Sequence, residues 1–106
     1  MKEEGGITQH SLINAEELIA KHGKPYRLHF CASKDKADNA VLATFKDGFS
    51  FAFTGFAWNY NGEGPRGLDT FLNMCDADIT RQILERQTGD GDTAYTHFIA
   101  RNDDLD

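Results

Sequence analysis

Two trios of aromatic side chains in the middle of the chain each repeat at every second position. They are Phe49, Phe51 and Phe53, then Phe56, Trp58 and Tyr60. A period of two is typical of a β-strand, whose side chains point alternately to opposite faces. The first trio has odd numbers and the second even ones, so an unbroken strand would send the two trios to opposite faces. Gly55 lies at the change of phase. We expect a β-bulge there that keeps all six rings on one face, and the alternative is a Thr54-Gly55 turn between two strands.

Three further segments have the character of strands. Tyr26–Phe30 alternates apolar with polar side chains, and residues 41–45 read Val-Leu-Ala-Thr-Phe. Asp47-Gly48 follows the second of these segments and predicts a two-residue hairpin turn into the strand of the first aromatic trio. Thr93–Ala100 is rich in residues that favour β structure and predicts a last strand.

The first helix is predicted over residues 14–22. Asn14 suits the N-cap, and Glu17 stands three residues later, where its side chain can complete a capping box. Gly23 offers a conformation that ends a helix, and Pro25 prevents the helix from continuing.

Two more helices are predicted between the aromatic trios and the last strand. Pro65 suits the first turn of a helix, and apolar residues then recur at helical spacing at Leu68, Phe71, Leu72 and Cys75. Asp76 or Asp78 can cap the following helix, which Gly89 ends. Ile79 and Ile83, with Leu84 as a further candidate, would form the buried side of that helix.

The order of elements is therefore α-β-β-β-α-α-β. Because three strands and two helices follow one another in separate blocks, we predict an α+β fold: an antiparallel sheet of about four strands with helices packed on one face. A chain of 106 residues makes a single domain, 1–106. Residues 1–10 and 102–106 are expected to be flexible ends.

Negative charge is concentrated in the last third of the chain. Residues 1–75 hold 8 basic and 9 acidic side chains, whereas residues 76–106 hold 3 basic and 8 acidic ones. The formal net charge of −6 argues against direct binding to a nucleic acid backbone. The acidic third is either a solubilising surface or an anionic patch that faces a basic partner. The candidate partner-binding residues are Asp76, Asp78, Glu85, Asp90 and Asp92.

The sequence predicts a cytoplasmic protein without a membrane span. No apolar run approaches the roughly 18 residues that a span needs, and Met1–His10 lacks the basic and apolar regions of a secretion signal. Cys31 and Cys75 are therefore expected to be reduced thiols.

A glycine-rich segment offers an alternative site. Residues 62–67 read Gly-Glu-Gly-Pro-Arg-Gly after a predicted strand and at the start of a predicted helix. Backbone N–H groups near Gly62 and Gly64 can hold an anion, with Arg66 as a charged clamp. Pro65 removes one donor, and Glu63 brings negative charge to the same place. These two features, together with the expected hairpin, argue against a dinucleotide site.

The sequence predicts neither a metal site nor a catalytic group, and no cofactor. No histidine is spaced from another histidine or from a cysteine as zinc ligands are, and the residues after Asp90-Gly91-Asp92 lack the oxygen ligands of a calcium loop. Two pairings stay open on sequence alone. His29 and His97 can meet across the sheet, and Cys31 can meet His97 as a thiol–imidazole pair.

One segment resembles a known group of proteins. Residues 55–72 read GFAWNYNGEGPRGLDTFL. The segment resembles part of small uncharacterised proteins from phages, plasmids and their hosts, in which Gly-Phe-x-Trp, an aromatic residue, Gly and then Gly-Pro lead into a helix. The matching positions are Gly55, Phe56, Trp58, Tyr60, Gly62, Gly64, Pro65 and Leu68. Asn59 and Asn61 depart from the glycines of that pattern.

The resemblance covers about a sixth of the chain and names no site residue. It implies a mobile-element setting, in which small acidic proteins are often inhibitors of host defence, including anti-CRISPR proteins. Together with the acidic third, it leads us to expect an inhibitor that docks on a basic, nucleic-acid-handling host protein. The alternative is a binder of a small anion or nucleotide-like ligand, or an enzyme, that uses the 62–67 turn. A third candidate is a homodimer that pairs through the edge of Thr93–Ala100; the sequence leaves open monomer or homodimer.

Overall fold

Four antiparallel strands form a sheet in the order β3-β2-β1-β4. The structure is a computed structural model, and it describes residues 7–34, 39–58, 62–89 and 92–99. The predicted α+β class and the order α-β-β-β-α-α-β are confirmed. The elements are α1 (Thr8–His22), β1 (Arg27–Ala32), β2 (Ala40–Thr44), β3 (Ser50–Phe53), α2 (Glu63–Met74), α3 (Arg81–Thr88) and β4 (Thr93–Phe98).

One face of the sheet carries the core. Leu28 of β1 pairs with Ala43 of β2, which pairs with Phe51 of β3, and all three are buried. Residues that lie directly opposite one another in an antiparallel pair share a face. The face that the core covers therefore carries the even-numbered residues of β1 and the odd-numbered residues of β2, β3 and β4.

The second aromatic trio joins this core without belonging to a strand. β3 ends at Phe53, and residues 54–58 are irregular. The Phe56 ring nevertheless lies 5.5 Å from Phe53 and 4.9 Å from Phe71 of α2, centroid to centroid. Trp58 is fully buried, and its Nε1 donates to Thr88 Oγ1 at 3.0 Å. Each such ring contributes about 1.5–3 kcal/mol through burial. Tyr60 lies outside the described residues.

The predicted bulge at Gly55 is wrong, and so is the alternative of a turn between two strands. The chain leaves the sheet because Gly55 binds α1. Its N–H donates to Ser11 Oγ at 2.9 Å, and its carbonyl accepts from Thr8 Oγ1 at 2.6 Å. A Cβ at Gly55 would lie 2.5 Å from the carbonyl oxygen of Ile7, so only glycine allows this approach.

The same contacts explain why α1 begins earlier than the predicted Asn14. It starts at Thr8, after an N-cap residue, Ile7, that makes no side-chain capping bond. Thr8 and Ser11 in the first turn are buried against the backbone of Gly55. Tertiary hydrogen bonds therefore replace the predicted capping box at Asn14. Residues 8–10, which we expected to belong to a flexible end, are helical. The predicted end at Gly23 is confirmed.

The hairpin between β2 and β3 has a three-residue loop, so the predicted two-residue turn is wrong. Phe45 N–H donates to Phe49 O at 2.9 Å, and Gly48 N–H donates to Phe45 O at 3.0 Å. Gly48 has φ +91°, whereas Asp47 has a negative φ. This is the usual form of a three-residue hairpin loop, in which a type I turn is followed by one left-handed residue that forms a bulge. Gly48 is that residue here. Asp47 Oδ1 accepts from Phe49 N–H at 3.0 Å and supports this loop.

The predicted helix with Pro65 in its first turn is confirmed as α2, and its apolar stripe is buried, including Cys75 at the C-cap. The predicted caps of the last helix, Asp76 and Asp78, are wrong. Thr80 is the N-cap of α3, and its Oγ1 accepts from Ile83 N–H at 3.3 Å. Gly89 ends α3 as predicted. No helix in the described part of the chain is long and apolar enough to cross a membrane.

Candidate functional site

The described acidic candidates lie along the side of the molecule that α3 and β4 form. Asp76 and Asp78 occupy the connection between α2 and α3, Glu85 lies on α3, and Asp92 directly precedes β4. α3 packs against β4. Asp90, the fifth candidate, lies outside the described residues.

Contacts with β4 and with the segment that follows β1 show how widely these carboxylates are spaced. Asp78 Oδ1 lies 2.6 Å from His97 Nε2, near the end of β4, whereas Asp92 Oδ1 accepts from Lys34 N–H at 2.8 Å, next to the start of β4. Five residue-to-residue steps of extended chain lead from Asp92 to His97, a distance of roughly 16 Å. The carboxylates therefore form an extended row, which we call the acidic side: Asp76, Asp78, Glu85 and Asp92.

Each aspartate of the acidic side is anchored by a contact within the chain. Lys24 Nζ donates to Asp76 Oδ2, in addition to the contacts of Asp78 and Asp92 just given. The side chains of Asp76 and Asp78 nevertheless stay 64% and 71% exposed. A carboxylate has about four lone-pair directions, so an exposed carboxylate can accept hydrogen bonds from a partner as well as from its own chain. The anchors fix the carboxylates without covering them.

Asp76 also has an unusual backbone conformation. Its φ is +50°, and it is the only non-glycine residue with positive φ among those that the structure describes. Ala77 N–H donates to Leu72 O at 3.0 Å and Asp76 N–H donates to Asn73 O at 3.2 Å, which together form a Schellman motif at the end of α2. Glycine is the usual residue at this position, and aspartate is among the few that tolerate it.

A polar groove lies between the end of α2 and the start of α3. It encloses about 290 Å³, with Leu72 and Ile79 as its apolar lining residues. Arg81 Nε lies 3.3 Å from Asp69 Oδ1 within it. The groove lies next to the Asp76–Asp78 connection. Among the described residues that line it, Arg81 is the only cationic one, and it is already paired with Asp69.

The glycine-rich alternative site lies at the start of α2. Gly62 is the N-cap, Gly64 and Pro65 are buried, and Arg66 is exposed. The segment that precedes it is irregular up to Trp58, so the strand expected before it is absent from the described residues there. Residues 59–61 lie outside the described residues.

The last glycine of that segment serves packing. A Cβ on Gly67 would lie 2.2 Å from Thr8 Cγ2, because α1 crosses α2 at this point. Gly67 therefore allows α1 and α2 to approach each other closely. This packing role explains a glycine at position 67 without any need for a bound anion.

Neither of the open histidine pairings occurs. His29 pairs in register with Thr96 and His97 with Leu28, so the two histidines lie on opposite faces of the sheet. Cys31 is exposed on the same face as His29, and it does not meet His97. The register pairs odd-numbered residues of β1 with even-numbered residues of β4, so two odd-numbered residues lie on opposite faces. The sequence does not reveal this register. Across the described residues, no three of the His, Cys, Asp and Glu side chains form a group able to hold a metal ion.

Sequence reasoning missed one polar cluster. His22, at the end of α1, lies 2.5 Å from Asp47 in the hairpin loop, Nδ1 to Oδ2. Its ring stacks on Phe49 at 4.4 Å with 4° between the planes. The hydrogen bond from His22, followed by the one from Phe49 N–H, holds the pKa of Asp47 below its ordinary value of 3.8. The stacking and the hydrogen bond tie the hairpin to α1.

Comparisons of the chain with protein-family models, with curated proteins and with solved structures find no match. The function is therefore inferred from the residues and contacts of this chain.

Proposed function

We propose that the protein is a non-enzymatic binding protein that docks on the basic, nucleic-acid-binding surface of another protein. The observation that carries the proposal is the acidic side, where aspartates are held in place by the chain and remain exposed. In this proposal their carboxylates occupy the positions that phosphates of a nucleic acid would take on the partner.

Two physical effects support this use of the acidic side. Opposite charge attracts the partner over a distance of about one Debye length, which speeds the encounter. The anchors also lower the entropic cost of binding, because a side chain already held by an internal contact has less freedom to lose. Asp78 is the clearest case, since His97 fixes a carboxylate that is still 71% exposed.

The biological setting is part of the same proposal. The resemblance of residues 55–72 to phage and plasmid proteins supports an inhibitor of a host defence protein, of the anti-CRISPR type, that acts in the cytoplasm. A net charge of −6 supports a protein partner and not direct contact with nucleic acid.

Charge reversal on the acidic side tests the proposal against a matched control. The test variant is Asp78→Lys with Glu85→Lys, and the control is Glu16→Lys with Glu17→Lys, two exposed residues of α1. Both variants change the net charge by the same amount. Each immobilised protein is exposed to an extract of the host in about 0.1 M salt and then washed in about 1 M salt, which shortens the Debye length to about 3 Å.

We expect the parent chain and the control to retain the same nucleic-acid-binding proteins in low salt and to release them in high salt. The test variant should retain none of them while keeping the parent's melting temperature within a few degrees. Equal retention by both double variants, or retention that high salt leaves unchanged, would overturn the proposal.

The alternative anion site makes a different prediction. If Gly62, Gly64 and Arg66 bind a phosphorylated metabolite, such a compound should raise the melting temperature of the parent chain and leave Arg66→Ala unchanged. A shift of this kind, together with full retention by the acidic-side variant, would replace the present proposal with a ligand-binding function.

A further inference from the structure

β4 is an outer strand of the sheet. It pairs with β1 on one side, and on the other side no strand from the described part of the chain pairs with it. Its six residues, Thr-Ala-Tyr-Thr-His-Phe, include no Lys, Arg, Asp, Glu or Pro. Exposed edge strands usually carry charge or proline, which prevents pairing with another chain. This edge lacks both.

The hydrogen-bond pattern shows which backbone groups face outward. Ile99 N–H donates to Tyr26 O at 2.8 Å, directly beyond the Arg27–Phe98 pair. In an antiparallel ladder, alternate residues direct both backbone groups to the same neighbour. The odd residues of β4 therefore bond to β1. The even residues, Ala94, Thr96 and Phe98, direct their N–H and C=O groups away from the sheet.

The same three residues lie on the face of the sheet opposite the core. Phe98 is 64% exposed and is one of three large apolar side chains that the described residues leave in water. Ala94 is also exposed. A large and a small apolar side chain thus stand four positions apart on one uncharged edge.

We propose that β4 pairs antiparallel with β4 of a second copy of this chain, about a two-fold axis at Thr96. Thr96 then lies opposite Thr96 of the second copy, and Ala94 lies opposite Phe98 on each side of the axis. The outward groups form the hydrogen bonds of the new pair, and each Phe98 ring covers the alanine of the other chain. The two sheets become one sheet of eight strands.

Self-complementarity favours a second copy over a foreign peptide. A two-fold interface must match a surface to itself. This edge does so because Phe98 of each copy lies on Ala94 of the other. The neighbouring register, with the axis at Tyr95, would place Phe98 opposite Asp92 and is less favourable. The six residues of β4 themselves bring no Asp or Glu into this pairing.

Variants with opposite charges test both the pairing and its register. The molar mass is measured by sedimentation over a wide range of concentration for the parent, Ala94→Lys, Phe98→Glu and an equimolar mixture of these two variants. The controls are Ala20→Lys and Ile13→Glu, which alter exposed positions of α1 in the same way. In the proposed register, the mixture alone places the introduced lysine opposite the introduced glutamate.

We expect the parent and both controls to dimerise as concentration rises, and each β4 variant to dimerise about tenfold more weakly or not at all. The mixture should recover a heterodimer. Added salt should leave the parent dimer unchanged or strengthen it, because it screens the repulsion between like charges.

A second pair of variants addresses the backbone. Thr96→Pro removes an outward N–H from each chain. Thr96→Val keeps the N–H and replaces the hydroxyl, which lies 2.5 Å from His29 Nδ1, with a methyl group. We expect the valine variant to dimerise and the proline variant to stay monomeric. A parent chain that is monomeric at every concentration, or dimers that the β4 substitutions leave intact, would overturn the proposal. Neither result bears on the capture experiment, because the proposed function does not require a dimer.

Discussion

Asp76 combines a left-handed backbone with an exposed ion pair. Its φ of +50° is a conformation that costs most L-residues about 1–2 kcal/mol, although less for aspartate. Its carboxylate contacts Lys24, and a contact between two exposed side chains contributes at most about 1 kcal/mol. The residue thus retains a carboxylate where glycine would be the more relaxed choice.

Two substitutions separate the backbone cost from the ion pair. Asp76→Gly and Asp76→Ala both remove the carboxylate, but only glycine relieves the left-handed conformation. We expect Asp76→Gly to be more stable than Asp76→Ala by about 1 kcal/mol, measured by urea denaturation. Equal stability of the two variants would show that position 76 does not hold the left-handed conformation in solution.

The contact between Asp47 and His22 predicts a pH dependence. The pKa of the Asp47 carboxyl is lowered in the folded protein, first by the His22 hydrogen bond and then by Phe49 N–H. A carboxyl with a lowered folded pKa contributes stability that is fully present above its unfolded pKa and is lost as the pH falls through its folded pKa. The window therefore lies from the ordinary value of 3.8 downward.

Thermal melts of the parent chain and Asp47→Asn should reveal this contribution. We expect the asparagine variant to melt at a lower temperature at neutral pH, and the difference to shrink as the pH falls below 3.8. A difference that stays constant down to the most acidic pH at which the chain folds would show that the Asp47 charge does not matter.

At the scale of elements, the close contact of α1 with α2 depends on Gly67. A Cβ there would overlap Thr8 Cγ2. We expect Gly67→Ala to lower the free energy of unfolding by about 1–3 kcal/mol, although alanine favours a helix by about 1 kcal/mol over glycine. Urea denaturation measures the change.

A second substitution tests the cause of that loss. Thr8→Ser removes the Cγ2 methyl group but keeps the hydroxyl that donates to Gly55 O. Gly67→Ala combined with Thr8→Ser should therefore recover at least half of the loss. A double variant as unstable as Gly67→Ala alone would contradict the proposed contact.

The elements that the sequence predicted correctly are those whose signals are local. The apolar stripe of α2 and the glycines that end α1 and α3 follow from spacing and backbone conformation. The start of α1 was misplaced because Thr8 and Ser11 bond to Gly55, more than 40 positions away. A contact of that range leaves no local pattern in one sequence.

The same limit applies to the site. The sequence identified the acidic residues by type, but their anchors are distant: Lys24 is 52 positions from Asp76, and Asp78 is 19 from His97. The sequence also allowed His29 to meet His97 across the sheet, and the reason that they do not meet is related. Their faces depend on the register of β1 with β4, and a register cannot be derived from the alternation of one strand.

At the scale of the whole molecule, the core, the acidic side and the edge of β4 occupy different parts of the fold. Helices cover one face of the sheet, the acidic side follows α3 and β4, and the uncharged edge of β4 adjoins it. The two proposed interactions should respond to salt in opposite ways. Binding to a basic partner should weaken as salt rises, whereas pairing of two negatively charged copies should not.

Competition with DNA tests the central claim most directly. A host protein retained in the capture experiment is loaded with a labelled DNA duplex, and this protein is added at constant salt while the bound DNA is followed by fluorescence anisotropy. We predict that the DNA is displaced completely, and that Asp78→Lys with Glu85→Lys displaces none. A ternary complex, in which the host protein holds the duplex and this protein together, would contradict the claim that the carboxylates take the place of phosphates.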